Sequence, residues 1–230
     1  MTIMSKTARR TRNYARLLNP TERTLVLSDV DGTLVRGSLL LDHALMLDES
    51  GEIDLGPLAD QWRADPKNEQ IIRTMAESYR EQIVGRRIGE LRVPQFIDGL
   101  LADEANLYST VERLKEHRAA GHRVVLISGS PGYLLRPFAR RFGFEAIGSL
   151  YHMTRTRELT GRITGMFGAP QKSAVVSSMD LSGYSKVIGY GDTASDAPLL
   201  AVSDYSVLVD PNPLTMKSLG DLRISEIVRG

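Results

Sequence analysis

The chain has 230 residues, a formal net charge of +1, 42% hydrophobic residues and no cysteine. These fractions are those of an ordinary globular protein, and the missing cysteines exclude disulfides, thiolate metal sites and cysteine nucleophiles. No apolar run approaches the roughly 18 residues that span a bilayer, and no apolar signal core follows the N-terminus. We therefore expect a cytoplasmic protein without a transmembrane segment.

The first 20 residues are basic and contain no acid; their charged residues are Lys6, Arg9, Arg10, Arg12 and Arg16. We predict that residues 1–22 form a basic N-terminal arm. A solvated tail is the interpretation that we favour, because chain termini order poorly unless they are tied down. Contact with nucleic acid or with anionic lipid, and a transit peptide, are the alternatives.

A strand and a helical block follow the arm. Residues 24–28 read T-L-V-L-S, a short apolar run before the turn signal D-G at 31–32, and indicate a buried strand. From about residue 39 to residue 101, apolar residues recur at helical steps and no strong strand pattern is found. We predict a helical cap at 39–101, inserted after the first strand into a core of residues 23–38 and 102–230.

After residue 108, strand and helix patterns alternate. We predict a polar hairpin at 154–168, strands at 124–128, 144–147, 186–190 and 205–209, and helices at 109–120, 131–142, 170–179 and 195–202. This alternation predicts an α/β fold with a central parallel sheet that is covered on both faces. Ligands of such sheets bind beyond the carboxyl ends of the strands, which here follow residues 28, 127 and 190.

Carboxylates stand at two of these three places. The strand at 24–28 runs into D-V-D at 29–31, and its two acids point toward the same side because they are two residues apart. The strand at 186–190 runs into G-D-T-A-S-D at 191–196, which supplies two more acids. Unpaired carboxylates at one sheet edge repel each other, and a hard divalent cation such as Mg²⁺ removes this repulsion.

Groups that suit an anion stand at the third place. The strand at 124–128 ends in S-G-S-P at 128–131, where a hydroxyl, a flexible glycine and a helix N-terminus together make an anion site. Lys172 lies on the helix predicted at 170–179. It is within reach of the acids if that helix begins at the same sheet edge.

Four segments in this order resemble the motifs of the haloacid dehalogenase (HAD) superfamily: D-V-D-G-T-L-V at 29–35, Ser128, Lys172 and G-D-T-A-S-D at 191–196. Their order and spacing agree over about residues 24–210. The cap position, the stretch 161–172 and V-D-P-N-P at 209–213 resemble the phosphoserine-phosphatase-like branch, subfamily IB. The resemblance implies a Rossmann-like HAD core with a helical cap inserted after the first strand.

The same resemblance implies a Mg²⁺-dependent phosphatase that acts on a small phosphorylated metabolite. Asp29 would attack phosphorus and form an aspartyl-phosphate, and Asp31 would protonate the leaving oxygen and then activate water. Ser128, the Gly129 amide and Lys172 would hold the phosphate oxygens while charge spreads in the transition state.

The resemblance also implies the ligands of the metal. The Asp29 carboxylate, the Asp31 backbone carbonyl and Asp192 would bind Mg²⁺, with water molecules completing six ligands. Asp196 would stand behind these ligands and either orient the water molecules or support Lys172.

Two departures from the branch leave the substrate open. Phosphoserine phosphatases carry a glutamate about nine positions after the nucleophile, where this chain has Ser38. They carry an asparagine before the last acid of the fourth motif, where this chain has Ser195. Both departures count against phosphoserine. A phosphoryl transferase or mutase on the same fold, and a non-catalytic HAD-fold binding protein, are the alternatives to a phosphatase.

Two further patterns do not indicate a binding site. G-x-G-x-x-A at 189–194, with Asp210 about 20 residues later, fits a dinucleotide fingerprint, but Asp192 would repel the pyrophosphate and Asp29 and Asp31 would have no role. Histidines without metal-ligand spacing are expected to be structural or exposed; they are His43, His117, His122 and His152.

Overall fold

The computed structural model describes residue 14 and residues 16–229, apart from 66–67 and 166–167. Most charged residues of the predicted basic arm therefore lie outside the described residues, namely Lys6, Arg9, Arg10 and Arg12. Arg16 begins a short 3-10 helix, Arg16–Leu18, in which Leu17 is buried. Within the described ranges, no helix is long and apolar enough to cross a membrane.

A seven-stranded sheet forms the centre of the described residues. Its strands are β1 (Thr24–Ser28), β2 (Arg123–Pro131), β3 (Glu145–Met153), β4 (Leu159–Thr164), β5 (Lys186–Gly191), β6 (Tyr205–Val209) and β7 (Glu226–Val228). They lie in the order β4-β3-β2-β1-β5-β6-β7, and neighbouring strands are parallel except for β3 and β4. The predicted α/β class with a central parallel sheet is thus confirmed.

Side chains of the central strands pack on both faces of this sheet. Val26 of β1 belongs to one apolar cluster, whereas its neighbours Leu25 and Leu27 belong to another. This alternation follows from the two-residue period of a strand, and burial on both faces explains why β1 reads as an uninterrupted apolar run.

Nine helices of the described residues follow β1 and lie between most of the later strands. They are α1 (Leu39–Glu49), α2 (Pro57–Ala64), α3 (Glu69–Gln82), α4 (Val93–Ala102), α5 (Thr110–Ala119), α6 (Gly132–Phe142), α7 (Ala169–Ser177), α8 (Ala197–Ala201) and α9 (Pro213–Leu219). The predicted helical block after β1 thus consists of α1 to α4. Tyr79 and Phe96 are buried in the same apolar cluster as Val26, so the block packs onto the sheet. The boundaries of cap and core at 39 and 101 stay a prediction.

The largest difference from the predicted elements concerns the polar hairpin at 154–168. The chain stays in the sheet until Met153 and turns directly into β4, so the hairpin is an extension of β3 rather than a separate excursion. Tyr151 and Leu159 are buried on its inner side, which attaches the hairpin to the core. The amide of Gly85 also donates to the carbonyl of Leu159 at 2.8 Å, so residues of the predicted cap pair with β4.

Three of the histidines have buried polar contacts that indicate a structural role. His43 Nδ1 lies 2.9 Å from the Tyr79 hydroxyl and His43 Nε2 lies 2.6 Å from the Leu91 carbonyl oxygen. His117 Nδ1 lies 2.9 Å from His122 Nδ1. Burial lowers the pKa of His43 to about 4 and that of His117 to about 3.

We therefore expect His43 and His117 to stay neutral in the folded protein at pH 5. The unfolded chain takes up protons near pH 6.5, whereas the folded chain does not. Their contribution to the free energy of unfolding is therefore complete above pH 6.5. Below that pH it falls, by about 1.4 kcal/mol per pH unit for each histidine. An NMR titration of the ring nitrogens checks this; a His43 midpoint near pH 6.5 would contradict it.

Candidate active site

The carboxyl ends of β1, β2 and β5 meet at one edge of the sheet because these parallel strands are neighbours. Asp29 follows β1 directly, and its amide donates to the Tyr190 carbonyl of β5 at 3.0 Å. This bond fixes the start of the Asp29–Asp31 segment beside the end of β5, from which Asp192 follows. The side chains predicted to act together are therefore brought to one place.

Three carboxylates form a tight cluster at this edge. One oxygen atom from each of Asp29, Asp192 and Asp196 lies within 4.8 Å of the others. Burial, with repulsion from the neighbouring acids, raises the pKa of Asp29 to about 8 and that of Asp192 to about 9. Negative charge is thus costly in this cluster unless a cation compensates it.

Lys172 supplies one such cation. α7 begins at Ala169, so that the Lys172 side chain enters the cluster, where it is 2% exposed. Its Nζ donates to Asp29 Oδ1 at 2.6 Å and to Asp196 Oδ1 at 2.5 Å. Burial alone would lower the pKa of Lys172, but the two carboxylates outweigh burial and raise it. Lys172 therefore stays charged, yet one ammonium cannot balance three carboxylates.

Asp196 is occupied by contacts inside the protein. Its Oδ1 accepts from Lys172, and its Oδ2 accepts from the amides of Asp192 and Thr193, both at 3.0 Å. A Cβ on Gly191 would lie 2.4 Å from the Asp196 Cβ, so this close packing requires glycine. Of the two roles predicted for Asp196, its contacts favour the support of Lys172.

The Asp31 carboxylate contacts hydroxyl and amide groups, and the acid cluster of the described residues does not include it. Its Oδ2 accepts from the hydroxyls of Ser128 at 2.8 Å and Ser130 at 2.7 Å. Its Oδ1 accepts from the amide of Leu39 at 2.7 Å, the first residue of α1. Asp31 therefore links the end of β2 to the first helix of the predicted cap.

Of the residues predicted to bind phosphate, Ser128 contacts Asp31, whereas Lys172 lies in the acid cluster. Ser128 is fully buried, and its hydroxyl both donates to Asp31 and accepts from the amide of Ser130 at 3.0 Å. Gly129 is exposed, and its carbonyl accepts from the Ser149 hydroxyl at 2.6 Å. β3 thus holds the end of β2 from the side.

Residues 26–201 match the family described as haloacid dehalogenase-like hydrolases. The chain belongs to this family. The superfamily and the hydrolase class that the motifs predicted are thereby confirmed. The matched range includes every residue of the acid cluster, together with Lys172, Asp31 and Ser128.

Phosphoserine phosphatases are among the proteins similar to this HAD hydrolase. Phosphoserine phosphatase SerB1 of Mycobacterium tuberculosis (strain ATCC 25618 / H37Rv) is 27% identical over 200 residues, which are 80% of this chain and 64% of that relative. The chain therefore spans less than two thirds of that relative's length.

Solved structures of low sequence identity have the same fold. A protein of unknown function from Bordetella pertussis Tohama I has a TM-score of 0.68 at 21% identity, covering 90% of this chain and 99% of that one. A phosphoserine phosphatase in apo form has a TM-score of 0.60 at 15% identity, covering 90% and 94%.

Three residues at the candidate site lie in the quoted motifs but had no role assigned from the sequence: Ser130, Thr33 and Gly32. The Thr33 hydroxyl donates to Asp192 Oδ1 at 3.1 Å, and a Cβ on Gly32 would lie 2.3 Å from Asp192 Oδ2. Gly32 also has a φ of +80°, which favours glycine. The two-residue step from Ser128 to Ser130 was the available signal for Ser130, since such residues share one side of an extended strand.

If the acid cluster holds Mg²⁺, replacing Gly32 by Ala should displace Asp192 and weaken the binding of that ion by about tenfold or more, as the loss of a group that supports a ligand does. Gly51→Ala is the matched control, because Gly51 has a φ of +70° and nothing lies within 4 Å of its added Cβ. A Mg²⁺ titration of turnover and thermal unfolding of both variants checks this. Equal effects of the two substitutions would show that Gly32→Ala acts through backbone strain alone and not through Asp192.

Proposed function

We propose that this HAD hydrolase is a Mg²⁺-dependent phosphatase that cleaves a small phosphomonoester through an aspartyl-phosphate on Asp29. The observation that carries the proposal is the placement of Asp29. Its carboxylate is 5% exposed, accepts a hydrogen bond from Lys172 at 2.6 Å and lies in the acid cluster. This arrangement supplies a fixed carboxylate nucleophile beside a permanent positive charge.

In the first step, a carboxylate oxygen of Asp29 forms a bond to phosphorus, and the bond from phosphorus to the leaving oxygen breaks. Asp31 gives its proton to that oxygen. In the second step, Asp31 takes a proton from water, and the water oxygen bonds to phosphorus while the bond to Asp29 breaks. Without substrate, the hydroxyls of Ser128 and Ser130 both donate to Asp31. With substrate bound, the Ser128 hydroxyl would donate to the phosphoryl group instead, and Ser130 would keep holding Asp31.

The donor set fits Mg²⁺, because it consists of oxygen atoms and carries more negative charge than Lys172 balances. Asp29, Asp192 and the backbone carbonyl of Asp31 would hold the ion, whereas both oxygens of Asp196 already have partners. When bound, Mg²⁺ neutralises charge on the phosphoryl group and on the carboxylates around it. Lys172, Ser128 and the Gly129 amide bind the phosphoryl oxygens in this proposal.

The organisation of the chain is part of the same proposal. Residues 39–101 form a cap over a core of residues 23–38 and 102–230, with an arm at 1–22 and a cytoplasmic location. The bond from the Leu39 amide to Asp31 supports this division, because the first cap helix then begins at the general acid.

The substrate is a small phosphorylated metabolite. The similar proteins named phosphoserine phosphatase support a phosphomonoester. Ser38 stands where those enzymes carry glutamate, and its amide donates to Asp42 Oδ2 at 3.0 Å. Because residue 38 is a serine, this position has no acid of its own, which favours a substrate other than phosphoserine.

Phosphate release from a panel of phosphomonoesters and para-nitrophenyl phosphate, with Mg²⁺, tests the proposal. We expect release that EDTA abolishes and added Mg²⁺ restores. Ca²⁺ should support it poorly, because its looser coordination lets Asp29 bind in a geometry that does not attack. Undiminished activity in EDTA would contradict the metal role. Transfer of phosphate to a second substrate instead of water would indicate a transferase or mutase.

A further inference from the structure

A groove of about 300 Å³ lies between α6 and the last residues of β3. Its lining combines basic, apolar and aromatic side chains: Arg136, Arg140 and Tyr133 from α6, Leu150 and Met153 from β3, and Ile88 from the predicted cap. We call these residues the α6–β3 groove. None of them has a role in the proposed reaction, so the groove has no assigned ligand.

The arginines of the groove lack acidic partners. Arg136 and Arg140 are exposed and one helical turn apart, and within the described part of the chain neither side chain has a hydrogen bond or an ion pair. Arg155 and Arg157, in the turn just after Met153, are exposed and equally without partners among the described residues. The surface around the groove is thus positively charged.

The acids of residues 132–164 are not paired with these arginines. The acids between residues 132 and 164 are Glu145 and Glu158. Glu145 pairs with Arg123 at 2.7 Å, and Glu158 lies 3.7 Å from Arg87. Each is therefore engaged by an arginine from another part of the chain, and neither pairs with a groove arginine.

Apolar side chains stand exposed beside these arginines. Leu150 is 54% exposed and Met153 is 46% exposed, although both are large. Basic side chains next to exposed apolar ones characterise proteins that lie on an anionic membrane, where the arginines meet lipid phosphates and the apolar groups enter the interface.

We propose that the α6–β3 groove docks this protein on an anionic lipid membrane. A lipid phosphate lies between Arg136 and Arg140, Arg155 and Arg157 add long-range attraction, and Leu150 and Met153 contact the acyl boundary. Exposed aromatic rings for stacking bases, which nucleic-acid surfaces use, do not occur in the described groove. The Tyr133 hydroxyl bonds to Tyr79, and its ring packs against the buried Tyr151.

Co-sedimentation of the full chain with vesicles tests this proposal. We expect binding to vesicles of equal phosphatidylcholine and phosphatidylglycerol, and at least tenfold weaker binding to phosphatidylcholine alone. Arg136→Gln with Arg140→Gln should weaken binding to the anionic vesicles by about tenfold or more. Leu150→Ser with Met153→Ser should weaken it as well, because apolar area is lost.

The matched control is Arg223→Gln with Arg229→Gln, which removes the same charge from exposed arginines at the β7 edge, opposite β4. It should bind vesicles like the wild type, and all variants should hydrolyse para-nitrophenyl phosphate alike if the proposed phosphatase is correct. The docking proposal does not depend on that activity.

Three outcomes would overturn the docking proposal. The first is wild-type binding that shows no preference for anionic vesicles. The second is equal binding by all variants, which would place any lipid contact elsewhere on the chain. The third is binding to a DNA duplex that the arginine substitutions abolish while vesicle binding persists, which would make the groove a nucleic-acid surface.

Discussion

Replacing Asp29 by Asn should lower the rate of phosphate release by at least about a thousandfold, because the amide cannot serve as the nucleophile. The fold should be retained, since Asn has nearly the same volume and its carbonyl oxygen can still accept from Lys172. The metal-free variant should unfold at a temperature no lower than that of the wild type. The substitution removes one of three crowded acids whose charged form burial disfavours, as the raised pKa of Asp29 indicates.

Steady-state kinetics and thermal unfolding with and without Mg²⁺ measure these effects. Asp60→Asn is the matched control, because Asp60 is an exposed acid whose side chain pairs with Arg63 far from the acid cluster. The stabilisation by Mg²⁺ should shrink in Asp29→Asn and stay unchanged in Asp60→Asn. If Asp29→Asn kept more than a few per cent of the wild-type rate, Asp29 would not be the nucleophile.

Much of the core was predictable because β1, β5 and β6 are short apolar strands buried on both faces. Their predicted bounds agree with the structure to within one residue. Such a strand can be predicted from its own residues alone, because a continuous apolar run between turn signals is typical of a strand buried in a layered fold. The gathering of Asp29, Ser128 and Asp192 then followed from the rule that ligands bind beyond the carboxyl ends of parallel strands.

Elements that depend on distant partners were predicted less well. β2 runs on to Pro131, although the strand was predicted to end at Ser128, because Pro131 pairs with Ser149 of β3 across an irregularity. The helix expected at 195–202 is a 3-10 turn, Ala194–Asp196, followed by the short helix α8. α9 and β7 were not predicted. β7 has only three residues and forms against β6.

The contacts of the site could not be read from residue spacing alone. Ser130 and Thr33 contact acids that lie far from them in the sequence, and a hydroxyl in a loop has many other uses. Asp31 was expected to act beside Asp29, but the motif did not indicate that its carboxylate also binds the amide of Leu39. Such contacts depend on side-chain orientation, which the strand pattern does not specify.

Replacing Lys172 by Met should both lower turnover and destabilise the metal-free protein. Met fills a similar volume but leaves Asp29 and Asp196 buried without their shared cation. Breaking a buried ion pair in this way costs about 3–5 kcal/mol. We expect turnover to fall by at least about a hundredfold, because a positive charge that faces the phosphoryl group in the transition state is lost. Lys186→Met removes a lysine from a partly exposed pair with Glu22 and should cost much less stability, because solvent screens such a pair.

Chemical denaturation of the metal-free variants and their kinetics with Mg²⁺ separate the two roles of Lys172. If Lys172 balances the cluster, Mg²⁺ should stabilise Lys172→Met more than the wild type, because the ion then replaces a missing charge. Adding Asp196→Asn to Lys172→Met should recover part of the lost stability without recovering turnover, since one of the two uncompensated carboxylates is removed but the ammonium is still missing. A Lys172→Met protein that is as stable as Lys186→Met would show that the cluster is not held together by charge. Full turnover by Lys172→Met would remove Lys172 from the proposed mechanism.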